Sequence, residues 1–343
     1  MGSGSGPGTN WGRATRRGLL VGGALVSAGL ATRSLWQRIQ QQRAAVFVAR
    51  DQRYDGSLVR TIHDGLLATG LQTDSLRGKR VLLKPNLVEP FRSAPHITTH
   101  PAIILATAEV FRSWGADVLV GEGPGHVRDT EMALVESGVE EALHTARIPF
   151  ADLNYEPSTW ITNRGGASHL AGFHLPHSVA SADLIVSLPK LKTHHWMGMT
   201  AAMKNLYGVL PGLHYGWPKN VLHHAGIPQT VFDINASLPK TITVIDGIDC
   251  MEGDGPILGT AKSMGLLLIS TNPTAADATA CRLMRLRPER VDYLSLASSR
   301  LGPLEEAWID QVGEAWQPLA QPFKMLALPH LQELAAHREF VVT

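Results

Sequence analysis

Residues 80–125, RVLLKPNLVEPFRSAPHITTHPAIILATAEVFRSWGADVLVGEGPG, decide the fold. The run 80–84 is short, apolar and closed by Pro85-Asn86, the pattern of a buried strand. Thr98 and Thr99 offer capping oxygens for a helix. Pro101 suits its first turn, where a missing N–H costs no hydrogen bond. Apolar residues then follow at helical spacing as far as Gly115, and 117–121 forms a second apolar strand. A strand, a helix and a strand at this spacing make a βαβ unit, so the sheet is at least partly parallel.

Outward from that unit the alternation continues. A short strand is expected at 46–49 and a helix at 58–67, with Leu58, Val59, Ile62, Leu66 and Leu67 on one stripe. Further strands are expected at 183–189, 241–246 and 265–270. Asn272 and Pro273 open a helix running to about Leu286. The fold class is therefore α/β: a mostly parallel sheet with helices on both faces, in one body or two intimate lobes. Residues 145–180, rich in Gly, Pro, Ser and Asn, read as a loop-bearing insertion. The amphipathic tail 301–343, with Trp308 and Trp316, reads as a helical extension packed on the core.

A chain of 343 residues with 44% hydrophobic and 18% charged residues can bury a large core and is not a disordered type. A net charge of +1 excludes the basic surface of a nucleic-acid binder. The two cysteines, Cys250 and Cys281, are too few for a disulfide framework, a four-cysteine zinc site or an iron–sulfur cluster. A bridge between them and a pair of buried thiols both stay open. The 15 histidines are many, and several fall within 194–224.

The N-terminus differs from the rest. No acidic residue precedes Asp51, while Arg13, Arg16, Arg17, Arg33, Arg38, Arg43 and Arg50 do. Arg16-Arg17 stands directly before LLVGGALVSAGLA, a weakly hydrophobic run short of the ~20 residues of a membrane span. This is the layout of a secretory leader, and the paired arginines resemble the twin-arginine export motif. We expect a leader or uncleaved tether over 1–35, a linker over 36–45 and the α/β domain over 46–300. The expected location is periplasmic or exported, with the twin-arginine machinery as a partner and the membrane met only through an uncleaved leader. A transit peptide is the alternative reading.

In open α/β sheets ligands bind beyond the carboxyl ends of the strands. Each such end here carries a distinctive loop. Lys84 and Asn86 follow the first strand of the βαβ unit, and Gly121-Glu122-Gly123-Pro124-Gly125-His126 ends the second. Lys190, Lys192, His194 and His195 follow 183–189. A loop holding Asp249, Glu252 and Asp254 follows 241–246. Converging lysines suit an anion. Neutral imidazole suits a general base or metal ligand. A lysine amine with a depressed pKa can attack a carbonyl. Gly123 and Gly125 can bring backbone N–H groups to an anion, and Glu122 is a metal or hydrogen-bond partner. His223 and His224, with Glu252 completing the set, are the metal candidates, alongside His214. Lys84, Asn86, Gly123, Gly125, Lys190, Lys192 and Asn205 are the candidates for holding a cofactor or ligand.

The segments LLKPNLV, TTHPAIILATAEVFRSWGADVLVGEGPG, SADLIVSLPKLKTH, MKNLYGVLPG and DGIDCMEGDGPILGT, followed by NPTAADATACRLM, resemble the domain-of-unknown-function 362 family over roughly 45–290. Many relatives carry a ferredoxin-like cysteine cluster that this chain lacks. The run from His194 to Lys204, followed by Leu210-Pro211-Gly212, is more distantly similar to the nickel-pincer lactate racemase family, with Ala201-Ala202-Met203 where that family has Gly-Gly-Arg. That resemblance implies His126 and His194 as paired bases, Lys204 as the tether of a nickel-pincer nucleotide and His223 as a metal ligand. The function expected is a metal- or cofactor-dependent enzyme, racemase-like or oxidoreductase-like, acting on a small carboxylate-bearing anion by histidine proton transfer. The alternative is a non-catalytic periplasmic ligand-binding or cofactor-carrier protein.

Overall fold

The βαβ unit forms as expected. Strand β2 (Arg80–Pro85) lies parallel to β3 (Asp117–Glu122), joined through the helix Pro101–Ser113. Pro101 takes the first helical turn, but the cap is His100, whose side chain accepts from the Ala102 N–H. Thr99 is drawn away by tertiary contacts: its hydroxyl donates to the Leu188 carbonyl and accepts from the Asn86 N–H.

In this computed structural model, residues 43–125, 129–298, 300–336 and 341–342 are described, with 1, 2 and 4. The expected leader and His126 lie outside the described residues. The described fold lies within the unit Ala44–Thr343. Its main sheet runs β12 (Ile309–Gly313), β1 (Ala44–Ala49), β11 (Thr260–Ser270), β10 (Thr241–Glu252), β7 (Leu184–Leu188), β2, β3 and β4 (Phe150–Asp152), in that order. Pairing is parallel except where β11 meets β1 and β10. The expected α/β class with a mostly parallel sheet is what the chain adopts.

Side chains alternate across this sheet. Val81 and Leu83 join one core with the helices Leu58–Ala68 and Pro101–Ser113. Leu82 joins the other, which holds the helices Ile227–Ser237 and Pro273–Leu283. Both faces are therefore covered, which is why the central strands read as unbroken apolar runs. Asn272 caps Pro273–Leu283 by accepting from the Ala275 N–H at 2.9 Å. Both cysteines are buried and free.

Three expectations change. β10 and β11 run several residues past 241–246 and 265–270 as a long antiparallel pair. The segment read as a loop after 183–189 is strand β8 (Lys190–His194), paired parallel to β10 and antiparallel to β9 (Gly198–Thr200). The tail is not a helical extension: β12 extends the sheet beside β1, and short turns plus the four-residue helix Pro329–Gln332 follow. The insertion carries β4 and an antiparallel hairpin, β5 (Ser158–Thr162) with β6 (Gly172–Pro176). Among the described residues no helix is long and apolar enough to cross a membrane.

Candidate functional site

The parallel register of β2 and β3 brings their carboxyl ends together. Lys84 Nζ donates to Glu122 Oε2 at 2.7 Å, to the Pro85 carbonyl at 2.7 Å and to Asn205 Oδ1 at 3.1 Å. Asn205 returns a bond from Nδ2 to the Lys84 carbonyl. Glu122 also accepts the N–H groups of Leu87 and Gly123. Burial pushes the Lys84 pKa down against the pull of Glu122. The chain crosses this pair at Gly208, where a Cβ would stand 2.2 Å from Glu122 Oε1 and 2.5 Å from Lys84 Nζ. Only glycine lets the backbone approach so closely.

Lys192, on β8, is wholly buried and has a different environment. Its Nζ donates to Asn86 Oδ1 at 2.8 Å, the Ile97 carbonyl at 2.9 Å and the Pro256 carbonyl at 3.2 Å. All three acceptors are neutral. Burial first, then the charges of Lys190, Lys204 and Lys84, hold its pKa well below the ordinary lysine range.

Lys219 is also buried, with its backbone in the left-handed region at φ 68. It donates to Asn154 Oδ1 at 3.1 Å and to the Leu210 carbonyl, and burial lowers its pKa to about 7. Lys204 comes from the one-turn helix Ala202–Asn205. Its ammonium lies 4.3 Å from the centre of the Tyr207 ring, and among the described residues it has no hydrogen bond or carboxylate partner. Burial and Lys84 bring its pKa to about 8.

The helix that carries Lys204 is pinned from behind. Asp277, buried in Pro273–Leu283, accepts the N–H groups of Ala202 at 2.7 Å and Met203 at 3.0 Å. Burial raises its carboxyl to about 7.

These lysines meet around one cavity of about 200 Å³, which Lys84, Lys192, Lys204 and Lys219 line together with Asn86, Glu122, Gly123, Gly125, Asn205 and the imidazoles of His194 and His223. Among the described residues, four lysines and one carboxylate, Glu122, therefore line the cavity. The Thr200 hydroxyl, buried at the cavity wall, has no partner among the described residues. An unmet buried hydroxyl costs about 1–3 kcal/mol, which a ligand atom could recover.

His194 Nδ1 accepts the N–H groups of Trp196 at 3.1 Å and Met197 at 3.3 Å. Burial, then Lys204 and His195, hold its pKa well below the usual range, so the ring is neutral. With Nδ1 accepting, the hydrogen-bond pattern assigns the proton to Nε2. His194 is then a donor and not a base. His223 packs between Tyr207 and Trp196, and burial with Lys204 lowers its pKa to about 4.

Three proposed site residues stand apart. Lys190 is charge-paired with Asp246 at 2.6 Å and donates to the Tyr54 hydroxyl at 2.8 Å. His224 is exposed. Glu252 faces Lys262 and Lys324, and its loop reaches the cavity through Pro256 and Ile257 instead. Among the described residues no group of three or more His, Cys, Asp or Glu could hold a metal. Among the described residues His223 has no cluster of metal donors around it, and His194 Nδ1 is taken by backbone. The described residues thus do not fit a nickel-pincer group, although Lys204 has the free amine its tether would need. Sequence reasoning missed Lys219, which follows no strand, and Asp277, whose signal was a lone carboxylate in an alanine-rich buried helix.

Among proteins of known sequence, the thylakoid-associated protein sll1697 of Synechocystis sp. (strain ATCC 27184 / PCC 6803 / Kazusa) is 28% identical over 262 residues, covering 75% of this chain and 79% of that protein. Among solved structures, the lactate racemase apoprotein from Thermoanaerobacterium thermosaccharolyticum aligns with a TM-score of 0.39 and 13% identity. That alignment covers 60% of this chain and 51% of the racemase chain, about half its length. Residues 81–282 match the domain of unknown function DUF362, so the chain belongs to that family.

Proposed function

We propose that this protein is an enzyme that moves a proton on a small carboxylate-bearing anion. The observation that carries the reading is the imbalance of the cavity lining, among the described residues four buried or half-buried lysines against one carboxylate. Lys192 has only neutral acceptors and Lys219 likewise, so both can hold an anion without first breaking an ion pair. Lys204, unpaired and with a pKa of about 8, is the base, since a proton acceptor works best near ambient pH. The proton passes from carbon to Lys204 Nζ. The charge left behind collects on the substrate's oxygen, toward which the neutral His194 Nε2–H donates.

The test is exchange of a carbon-bound proton into deuterium oxide, followed by NMR, over a panel of 2-hydroxy, 2-oxo and 2-amino acids. Exchange that vanishes in Lys204→Met and persists in Lys324→Met supports the reading. Absence of exchange in every acid that binds sinks it in favour of a binding or carrier protein.

The expected export belongs to the same reading, because it rests on Arg16-Arg17 and the apolar run behind it. Replacing both arginines with lysine should hold the protein in the cytoplasm on cell fractionation. Unchanged delivery to the periplasm would remove the twin-arginine route.

A further inference from the structure

The cavity has two chemically different ends. At the buried end, Lys84, Lys192 and Lys219 are at most 2% exposed. Among the apolar lining residues, Trp196 and Pro218 are exposed and Val88 and Ile257 half-buried, which puts them toward solvent, while Pro124 and Tyr207 are buried. Trp196 is 56% exposed although its ring abuts His195 and His223. Phe91 and Leu258, close in sequence to Val88 and Ile257, are 51% and 77% exposed. Exposed apolar groups gathered at the mouth of a site, instead of scattered singly, mark a surface that a ligand covers.

We infer that the natural ligand is an amphiphilic anion: a carboxylate head among the buried lysines and an apolar body, aliphatic or aromatic, lying along Trp196 and Ile257 at the mouth. The inference rests on the anion reading above and narrows its substrate class. A short polar acid would satisfy Lys192 and the Thr200 hydroxyl yet leave the apolar mouth in water. A body of several carbons would bury that mouth, with Trp196 offering a large flat face that costs little side-chain entropy to fix.

The test is calorimetric titration of the full chain with straight-chain carboxylates from acetate to octanoate, all kept as monomers. The expected result is affinity rising about three- to fourfold per added methylene, the gain for moving one such group out of water. Trp196→Ala combined with Ile257→Ser should flatten that slope to under twofold. Lys192→Met should weaken every member of the series alike and leave the slope standing. Equal affinity for acetate and octanoate would overturn the amphiphile while the anion site stood. Binding of none of them, together with silence from the hydroxy, oxo and amino acids, would overturn the anion reading itself.

Discussion

Lys190 and Lys192 sit two residues apart on β8, and both are fully buried. Around Lys190 the protein supplies the counter-charge a buried ammonium needs. Asp246 pairs with it at 2.6 Å, and the Tyr54 hydroxyl accepts from it while donating to Asp246 at 3.0 Å. The same carboxylate accepts the His100 N–H, and the His100 ring stacks on Tyr54 at 3.8 Å. Around Lys192, among the described residues, the oxygens that accept its hydrogen bonds are amide and carbonyl, and none is a carboxylate. The first lysine ties β10 to the segments at Tyr54 and His100. The second leaves a charge for something else to neutralise. Burial alone does not mark a functional lysine; the missing counter-charge does.

The sharpest way to break this contrast is Asp246→Asn. It strips the counter-charge from Lys190 and should cost about 3–5 kcal/mol of folding stability, read by denaturant unfolding. A loss near zero would mean that Lys190 is no better compensated than Lys192. Asp277→Ala comes next. It orphans the Ala202 and Met203 N–H groups, at about 1–3 kcal/mol each, and releases the turn that carries Lys204. Asp277→Asn keeps one acceptor and should fall between the variant and the native chain. Lys192→Met sharpens the contrast from the other side. It should lower affinity for small carboxylates about 10- to 100-fold, the worth of a charged hydrogen bond, and leave the unliganded fold as stable as before or more so.

The same contrast sets what could be read from sequence. The strands at 80–84, 117–121 and 183–189 were legible because both of their faces are apolar. β8, KLKTH, was not, because a lysine-rich run reads as solvated unless one knows that Asp246, Asn86 and two carbonyls await its ammonium groups. The cap at Pro101–Ser113 shows the same limit. Thr98, Thr99 and His100 can all cap, and a contact with Leu188 across the sheet took Thr99. The tail's amphipathic pattern suits a helix as well as a strand, and the open edge of β1 decided for the strand. At the site, the convergence of the loops after β2, β3 and β7 followed from topology. What lay beyond reach was the choice within each loop: Lys192 and not Lys190, Ile257 and not Glu252.

The smallest effect is a pH dependence, and its sign separates two consequences of the uncompensated lysines. In the unfolded chain lysine titrates near 10.5, while Lys219 and Lys204 in the folded chain titrate near 7 and 8. Between those values the unfolded state binds more protons, so the stability of the unliganded protein rises with pH, by about 1.4 kcal/mol per pH unit for each fully released proton. Below pH 7 the slope is opposed, because the Asp277 carboxyl, raised to about 7, keeps its proton in the folded chain longer than in the unfolded one. Above pH 9 the buried thiol of Cys250 and the hydroxyls of Tyr54 and Tyr207, all pushed up by burial, oppose it again. The Lys219 and Asp277 contributions cancel at pH 7, and the window of net upward slope runs from there to about 8.5. Across it the unfolding midpoint of the free protein should rise. The extra stabilisation by a bound carboxylate should shrink, because the ammonium groups that hold the anion are losing their charge. Lys219→Met should reduce both slopes together. A protein whose ligand-induced stabilisation grew from pH 7 to 8.5 would owe its anion binding to some other group than these lysines.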